Sequence, residues 1–168
     1  MKPYILWFGD FKDCSLAQMM FRPDGYRYLK RFVIPKLGYN ANFRSLVQST
    51  RELLALGEKT AVAVRCSCGE VAAFIEVDDS DGGLVFGNWV CDKCATVSGK
   101  DRFRLIALKF SSLTVYDDIY AKRFAECLKK AFGLTGPITK NRAQIFFFGD
   151  SAEPLPVRKQ QSVQLQLF

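Results

Sequence analysis

The sequence predicts an α+β fold, with helices near both ends of the chain, antiparallel strands in the middle and a disordered C-terminal tail. Apolar residues recur at helical spacing in residues 1–60 and again in 116–132. Between these segments, short runs rich in β-branched and aromatic residues are separated by turn residues, which is typical of strands. From Asp150 onward the chain has prolines and polar residues without periodicity, which indicates a flexible tail at 150–168.

The N-terminal part, residues 1–60, is predicted to be small and helical. Residues 4–8 are predicted to form a short buried strand that ends at Gly9. Ser15 suits a helix N-cap, because its hydroxyl can accept a hydrogen bond from a backbone N–H of the first turn. Three helices are expected, at 16–21, at 24–33, and at 43–56 with Gly57 as the stop.

The middle part, residues 61–113, combines strands with two short cysteine pairs. Strands are expected at 60–66, 71–77, 84–90 and 102–110. The pairs are Cys66 with Cys68, spaced C-x-C, and Cys91 with Cys94, spaced C-x-x-C. This arrangement predicts a four-thiolate metal site, in which two tight turns each present two sulfurs between two β-hairpins.

Four thiolates are a ligand set of structural zinc, and they leave no position open for a catalytic water. The spacing therefore predicts a four-cysteine zinc ribbon whose cofactor is Zn²⁺. Incidental core thiols or a redox pair are the alternatives. The remaining cysteines, Cys14 and Cys127, stand alone in apolar patterns and are interpreted as buried small side chains.

The part from 114 to 149 is predicted to contain an amphipathic helix at 116–132 and a closing element. The polar face of this helix carries four basic residues, Lys122, Arg123, Lys129 and Lys130. They have two interpretations, a solvated face or a ridge that contacts DNA phosphates. Residues 137–148 are compatible with a helix opened by Pro137 and with a strand that ends at Gly149.

The absence of histidine restricts the possible chemistry. It excludes Ser-His-Asp and Cys-His catalysis and every histidine-ligated metal. An enzyme would need carboxylates, such as Asp10, Asp13 or the acidic turn at 78–81, with magnesium. Because Asp-Gly turns between strands are common for backbone reasons alone, the sequence favours a protein that is not an enzyme, with a small carboxylate-dependent nuclease as the alternative.

The net charge of +7 is unevenly distributed. The segment 61–101 is acidic, so the basic surface is expected on the flanking parts, where it would suit non-specific contact with a DNA backbone. No apolar run approaches the roughly 20 residues of a membrane span, so no membrane association is expected. Cysteines in metal spacing favour the reducing cytoplasm over a disulfide framework.

Residues 5–34 resemble a known family, the small domain C-terminal to the nuclease in exodeoxyribonuclease X. The resemblance rests on Phe8-Gly9-x-Phe11-Lys12, Ser15-Leu16, Pro23-Asp24-x-Tyr26 and Tyr28-Leu29. That family usually has Lys at Asp10, Tyr at Phe11 and Gly at Asp13. The resemblance implies a role in DNA metabolism, and an accessory one, because the chemistry of exodeoxyribonuclease X lies in its other domain.

The last five residues, QLQLF, resemble the Q-L-x-L-F motif by which bacterial polymerases and repair proteins bind the β sliding clamp. The resemblance implies that Gln164 hydrogen-bonds at the pocket mouth, that Leu165 packs beside it, and that Leu167 and Phe168 fill the apolar pocket. Gln166 occupies a tolerant position. The alternative is that the alternating tail folds back as an edge strand.

Together these observations predict a non-catalytic zinc-binding accessory protein of bacterial or phage DNA replication or repair. Its expected partners are the β sliding clamp and DNA, and the tail would raise its local concentration at the clamp. The alternatives are the small magnesium-dependent nuclease and a zinc-ribbon accessory protein of transcription.

Overall fold

The computed structural model describes residues 4–31, 33, 43–78, 83–98, 103–116 and 118–150. They form a mixed α+β fold, as the sequence predicted. The helices and strands are α1 Leu16–Met19, α2 Pro23–Arg31, α3 Arg44–Lys59, β1 Phe74–Asp78, β2 Val85–Val90, α4 Asp92–Ser98, β3 Phe103–Ala107, a 3-10 helix Phe110–Thr114, α5 Asp118–Ala131 and α6 Lys140–Phe148. None of the helices built from these residues has the length and apolarity that crossing a bilayer requires.

The strands form one antiparallel sheet in the order β2-β1-β3. Phe74 of the central strand pairs with Val90 on one side and with Ala107 on the other. Every second residue of β1 is buried, so that Ile75 and Val77 face the core. This is the alternation expected of a sheet with one face covered.

The N-terminal segment forms a tight loop rather than the predicted buried strand at 4–8. Its only ladder contact among the described residues is an isolated bridge between Ile5 and Ser15. The loop is closed because Asp13 N–H donates to Leu6 O at 2.7 Å, with Asp13 in the left-handed region at φ 67°. The prediction for Ser15 is confirmed: its hydroxyl accepts from Gln18 N–H and caps α1.

Gly57 does not end the third helix, which continues to Lys59. A Cβ at this position would lie 2.6 Å from Met20 Cε and 3.0 Å from a ring carbon of Phe110. The glycine therefore allows α3 to pack closely against the core, and its place in the sequence reflects contact with distant residues rather than helix termination.

The strand predicted at 60–66 is absent, those predicted at 71–77 and 102–110 are shorter, and one ambiguous segment is resolved. The segment 60–66 contributes only the isolated bridge between Arg65 and Val71. The strand predicted at 102–110 ends at Ala107, and the chain then turns into the 3-10 helix that buries Phe110. Residues 140–148 are helical, because Thr139 Oγ1 accepts from Arg142 N–H and caps α6.

The core is one continuous cluster of buried residues that runs from Leu6 to Ala143. Phe110 lies near its centre, with its ring stacked on Phe132 at 5.0 Å and edge-on to Phe21 at 5.3 Å. Helices from both ends of the chain therefore share one core with the sheet. The sheet and the cysteine turns attached to it are held on this common base.

Replacement of Gly25 by Ala is expected to destabilise the protein, because a Cβ there would lie 2.7 Å from the backbone oxygen of Met19. We expect a loss of about 1–3 kcal/mol in the free energy of unfolding from this overpacking. It should outweigh the gain of about 1 kcal/mol in helix propensity. The measurement is denaturant unfolding, with Gly83→Ala as control, since Gly83 has open space around its Cβ position. Equal stability of the two variants would contradict the packing of α1 on α2.

Candidate metal centre

The first cysteine pair lies at the tip of a tight turn that is closed from both sides. Cys66 N–H donates to Glu70 O at 2.8 Å, and Gly69 N–H donates to Cys66 O at 2.8 Å. Gly69 has φ +92°, a conformation that side chains rarely adopt. The turn thus needs a glycine directly after Cys68, and it brings the two sulfurs to the same side of the chain.

The second pair lies where β2 passes into α4. Cys91 follows the last residue of β2, and its carbonyl accepts from Ala95 N–H at 2.9 Å, so the helix begins at once. Cys94 lies in the first turn of that helix, and its N–H donates to Cys91 Sγ at 3.5 Å. The prediction that the second cysteine pair lies in a β-hairpin is therefore wrong. A helical turn suits C-x-x-C because residues three apart lie on one face of a helix.

The four cysteines come together, and their Sγ atoms all lie within 4.8 Å of one another. The sulfurs of Cys68 and Cys91 are 3.5 Å apart. A tetrahedral ion with metal–sulfur bonds of about 2.3 Å requires sulfurs about 3.8 Å apart. The donor set and its spacing thus fit a four-coordinate metal ion, and this cluster could hold one.

The burial of the four sulfurs follows their positions in the chain. Cys66 and Cys91 are buried, Cys94 is half-buried, and Cys68 is exposed at the tip of its turn. The two turns are also joined by an ion pair between Lys93 Nζ and Glu70 Oε1 at 2.6 Å. Sequence reasoning missed this pair, because residues in the two turns become neighbours only when the cluster forms.

The electrostatics of the four sulfurs favour a cation among them. The backbone N–H groups of Cys68 and Cys91 lower the pKa of the Cys66 thiol to about 6. The sulfurs of Cys68, Cys91 and Cys66 raise the pKa of the Cys94 thiol to about 12. The Cys66 thiol loses its proton readily, whereas each further thiolate would lie beside an existing negative charge. A divalent ion bound among the four sulfurs would remove this repulsion and would allow all four to ionise.

The four predicted DNA-contacting residues all lie on α5 but differ in exposure. Lys122, Arg123 and Lys130 are exposed. The side chain of Lys129 is only 14% exposed, and its Nζ forms an ion pair with Glu126. Lys129 is therefore the member of the set least available to a phosphate.

A groove beside α5 places further charged residues next to these lysines. It has a volume of about 360 Å³ and lies between α5 and the start of α2. Its charged lining residues are Arg22, Asp24, Lys122, Glu126 and Lys129. Arg22 is paired with Asp24 at 2.7 Å, so the groove carries both signs of charge. The position of Arg22 beside α5 could not be read from the sequence, because the two are far apart in the chain.

Other predicted residues lie outside the described part of the chain or on the N-terminal loop. The clamp-binding residues Gln164, Leu165, Leu167 and Phe168 and most of the 78–81 turn are outside the described residues. Asp10 and Asp13 are exposed on the N-terminal loop. Among the described residues, the four cysteines form the only group of three or more Cys, Asp or Glu side chains close enough to hold a metal.

Comparison of the chain with protein-family models, with curated proteins and with solved structures finds no match. The resemblance of residues 5–34 to a known family therefore stays a prediction, as does that of the last five residues.

Proposed function

We propose that this chain is a non-catalytic zinc-binding accessory protein of bacterial or phage DNA replication or repair. In this proposal it binds the β sliding clamp through Gln164, Leu165, Leu167 and Phe168 and contacts the DNA backbone. One observation supports an accessory role most directly. The four cysteine sulfurs can occupy all positions of a tetrahedral ion, so a metal held there serves the fold and has no site for a substrate.

Zinc is the metal that this donor set suits best. An all-sulfur tetrahedral site is typical of zinc or of iron–sulfur centres. The C-x-x-C pair has the typical spacing of structural zinc ligands, and the C-x-C pair is one residue shorter. Zinc also has no redox chemistry of its own, which suits a purely structural ion.

The N-terminal loop supports the context of DNA metabolism. Asp13 has φ 67° at the position where the exodeoxyribonuclease X family usually has glycine. Gly9, another residue of the resemblance, has its Cβ position 2.5 Å from the hydroxyl of Tyr28, which belongs to the same pattern. Gly9 and Tyr28, two residues of the resemblance, thus pack closely, and the backbone at Asp13 has a conformation that favours glycine.

Contact with DNA is proposed through the exposed basic residues of α5. Lys122, Arg123 and Lys130 lie on one helix with their side chains open to solvent, as phosphate-contacting residues do. Lys129 contributes less, because Glu126 already neutralises it.

The proposal predicts DNA binding that weakens steeply with salt. Each phosphate contact lowers the logarithm of the affinity by about 0.9 per decade of salt concentration for duplex DNA. We expect Lys122→Ala, Arg123→Ala and Lys130→Ala together to reduce that slope, and Lys129→Ala to change it little. Fluorescence anisotropy with a labelled duplex at several salt concentrations measures this. An affinity that does not depend on salt would contradict phosphate contact.

Titration of the purified sliding clamp with the full chain and with a chain shortened by residues 164–168 tests the proposal as a whole. We expect binding only with the full chain, since the motif is proposed to insert into the pocket of the clamp. A parallel pull-down with RNA polymerase as bait separates this function from transcription. Capture by the polymerase and not by the clamp would overturn the proposal.

A further inference from the structure

Trp7 is an unusual surface residue, with 55% of its area exposed. Every other Trp, Tyr or Phe whose burial the structure describes is buried or half-buried. The sequence predicted a buried strand at this position, so its exposure is a finding of the fold. Burial of a large apolar ring is favourable, and a ring exposed to water does not gain this free energy. Tryptophan is enriched at surfaces where a partner binds.

The ring of Trp7 belongs to a small aromatic cluster at the surface, which we call the Trp7 cluster and which comprises Trp7, Phe8 and Phe43. The planes of Trp7 and Phe43 are nearly parallel, at 16°, with their centroids 6.4 Å apart. Phe8 packs edge-on against both rings, at 4.8 Å and 5.4 Å. Phe8 and Phe43 also pack against the core, so the exposed indole contacts two rings that the core holds in place.

The backbone around the Trp7 cluster is ordered by hydrogen bonds. Leu6 N–H donates to Cys14 O at 2.9 Å, which fixes the residue before Trp7. Phe43 immediately precedes α3, so the second parallel ring is attached to a helix of 16 residues. A ring held in this way loses little conformational freedom when a flat ligand stacks on it.

The charges near the Trp7 cluster are mixed. Lys12 and Arg44 are exposed beside it in the chain, and the first turn of α3 carries no acidic residue. Asp10 and Asp13 lie on the same loop and are also exposed. The cluster is therefore not a phosphate site by charge alone. A ligand would have to be held mainly by stacking, with attraction from the net charge of +7 of the whole chain.

We propose that the Trp7 cluster is a base-stacking site for single-stranded DNA. An unpaired base offers a flat face to the indole, whereas bases in a duplex are already stacked on one another. The attached phosphates are attracted by the net positive charge of the whole chain. The inference rests on the proposed DNA contact and deepens it, because it specifies the form of DNA and the residue that holds it.

The test uses the fluorescence of the two tryptophans, Trp7 and Trp89. In the Trp89→Phe variant only Trp7 emits, and we expect a short oligothymidylate to quench it. In the Trp7→Phe variant only Trp89 emits, and we expect no change. Trp7→Ala should weaken the affinity for the oligothymidylate by roughly 5- to 150-fold, the loss of one stacked base. Val85→Ala is the matched control, because Val85 is also apolar and 65% exposed, and it should bind normally.

An abasic strand of the same length distinguishes stacking from phosphate contact. We expect it to bind more weakly than the oligothymidylate and to leave Trp7 fluorescence unchanged. Equal, salt-dependent binding of both strands without quenching would overturn the stacking site but leave the backbone contact intact. No binding of any DNA would overturn the backbone contact as well. Loss of clamp binding in Trp7→Ala, with DNA binding unchanged, would identify a protein surface instead and overturn the inference.

Discussion

Refolding without zinc is expected to give a protein whose thermal midpoint is lower by more than about 10 °C. Structural zinc contributes about 10–16 kcal/mol of apparent binding free energy in small zinc modules. Whole domains are stable by only about 5–15 kcal/mol. Because Cys66 and Cys91 are buried, water could not replace the lost ion at their sulfurs. In the experiment, the chain is unfolded in denaturant that contains a chelator. Both reagents are then removed, and the chain is refolded with and without zinc.

Cys91→Ser should reproduce the loss, because the buried sulfur lies at the junction of β2 and α4. We expect less than one zinc per chain by elemental analysis and a thermal midpoint close to that of the zinc-free protein. The control is Cys14→Ser, the same chemical change outside the cluster, which should keep the full zinc content. A metal-free protein that is folded and equally stable would show that the four sulfurs are core thiols and that the proposed zinc is wrong.

Phe168→Ala is expected to abolish measurable clamp binding while the thermal midpoint changes little. Truncation of a central aromatic anchor costs about 2 kcal/mol or more, which is at least roughly 30-fold in affinity. The buried cluster of the described residues extends only from Leu6 to Ala143, so we expect its stability to be independent of this side chain. Isothermal titration of the clamp, together with thermal melting of each variant, measures both quantities.

Gln166→Ala supplies the control from the same pentapeptide, because the resemblance places this residue at a tolerant position. Its affinity for the clamp should be close to that of the unaltered chain. Clamp affinity that stays the same in Phe168→Ala would show that the C-terminal phenylalanine serves another purpose. Loss of stability in that variant would indicate that the tail packs on its own protein, the alternative suggested by its alternating pattern.

The two cysteine pairs were predictable from the sequence because the information for each pair is local. Cys66 and Cys68 are two positions apart and share a turn that Gly69 makes possible, while Cys91 and Cys94 fit one turn of helix. Ser15 was predictable as a cap for the same reason, since its partner Gln18 lies three residues away. Contacts within a few residues leave a pattern that can be read directly from the chain.

Gly57 and Trp7 show where local patterns mislead. Glycine is the residue that commonly ends a helix, yet Gly57 instead leaves room for the side chains of Met20 and Phe110, which lie far away in the chain. Trp7 sits in an apolar run that suggests burial, but the closed N-terminal loop leaves its ring at the surface. Neither outcome has a signal in the neighbouring residues.

The sequence alone determined the four candidate ligands, the amphipathic character of α5 and the mixed fold class, because cysteine spacing and apolar periodicity are properties of short segments. The folded chain decided which predicted strands form, how the second cysteine pair is presented, and which basic residue of α5 is least exposed. These depend on long-range packing, in which Lys129 lies in a groove against the start of α2 and the chain after Ala107 turns away to bury Phe110. Close packing of distant segments imposes such choices, and no local propensity encodes them.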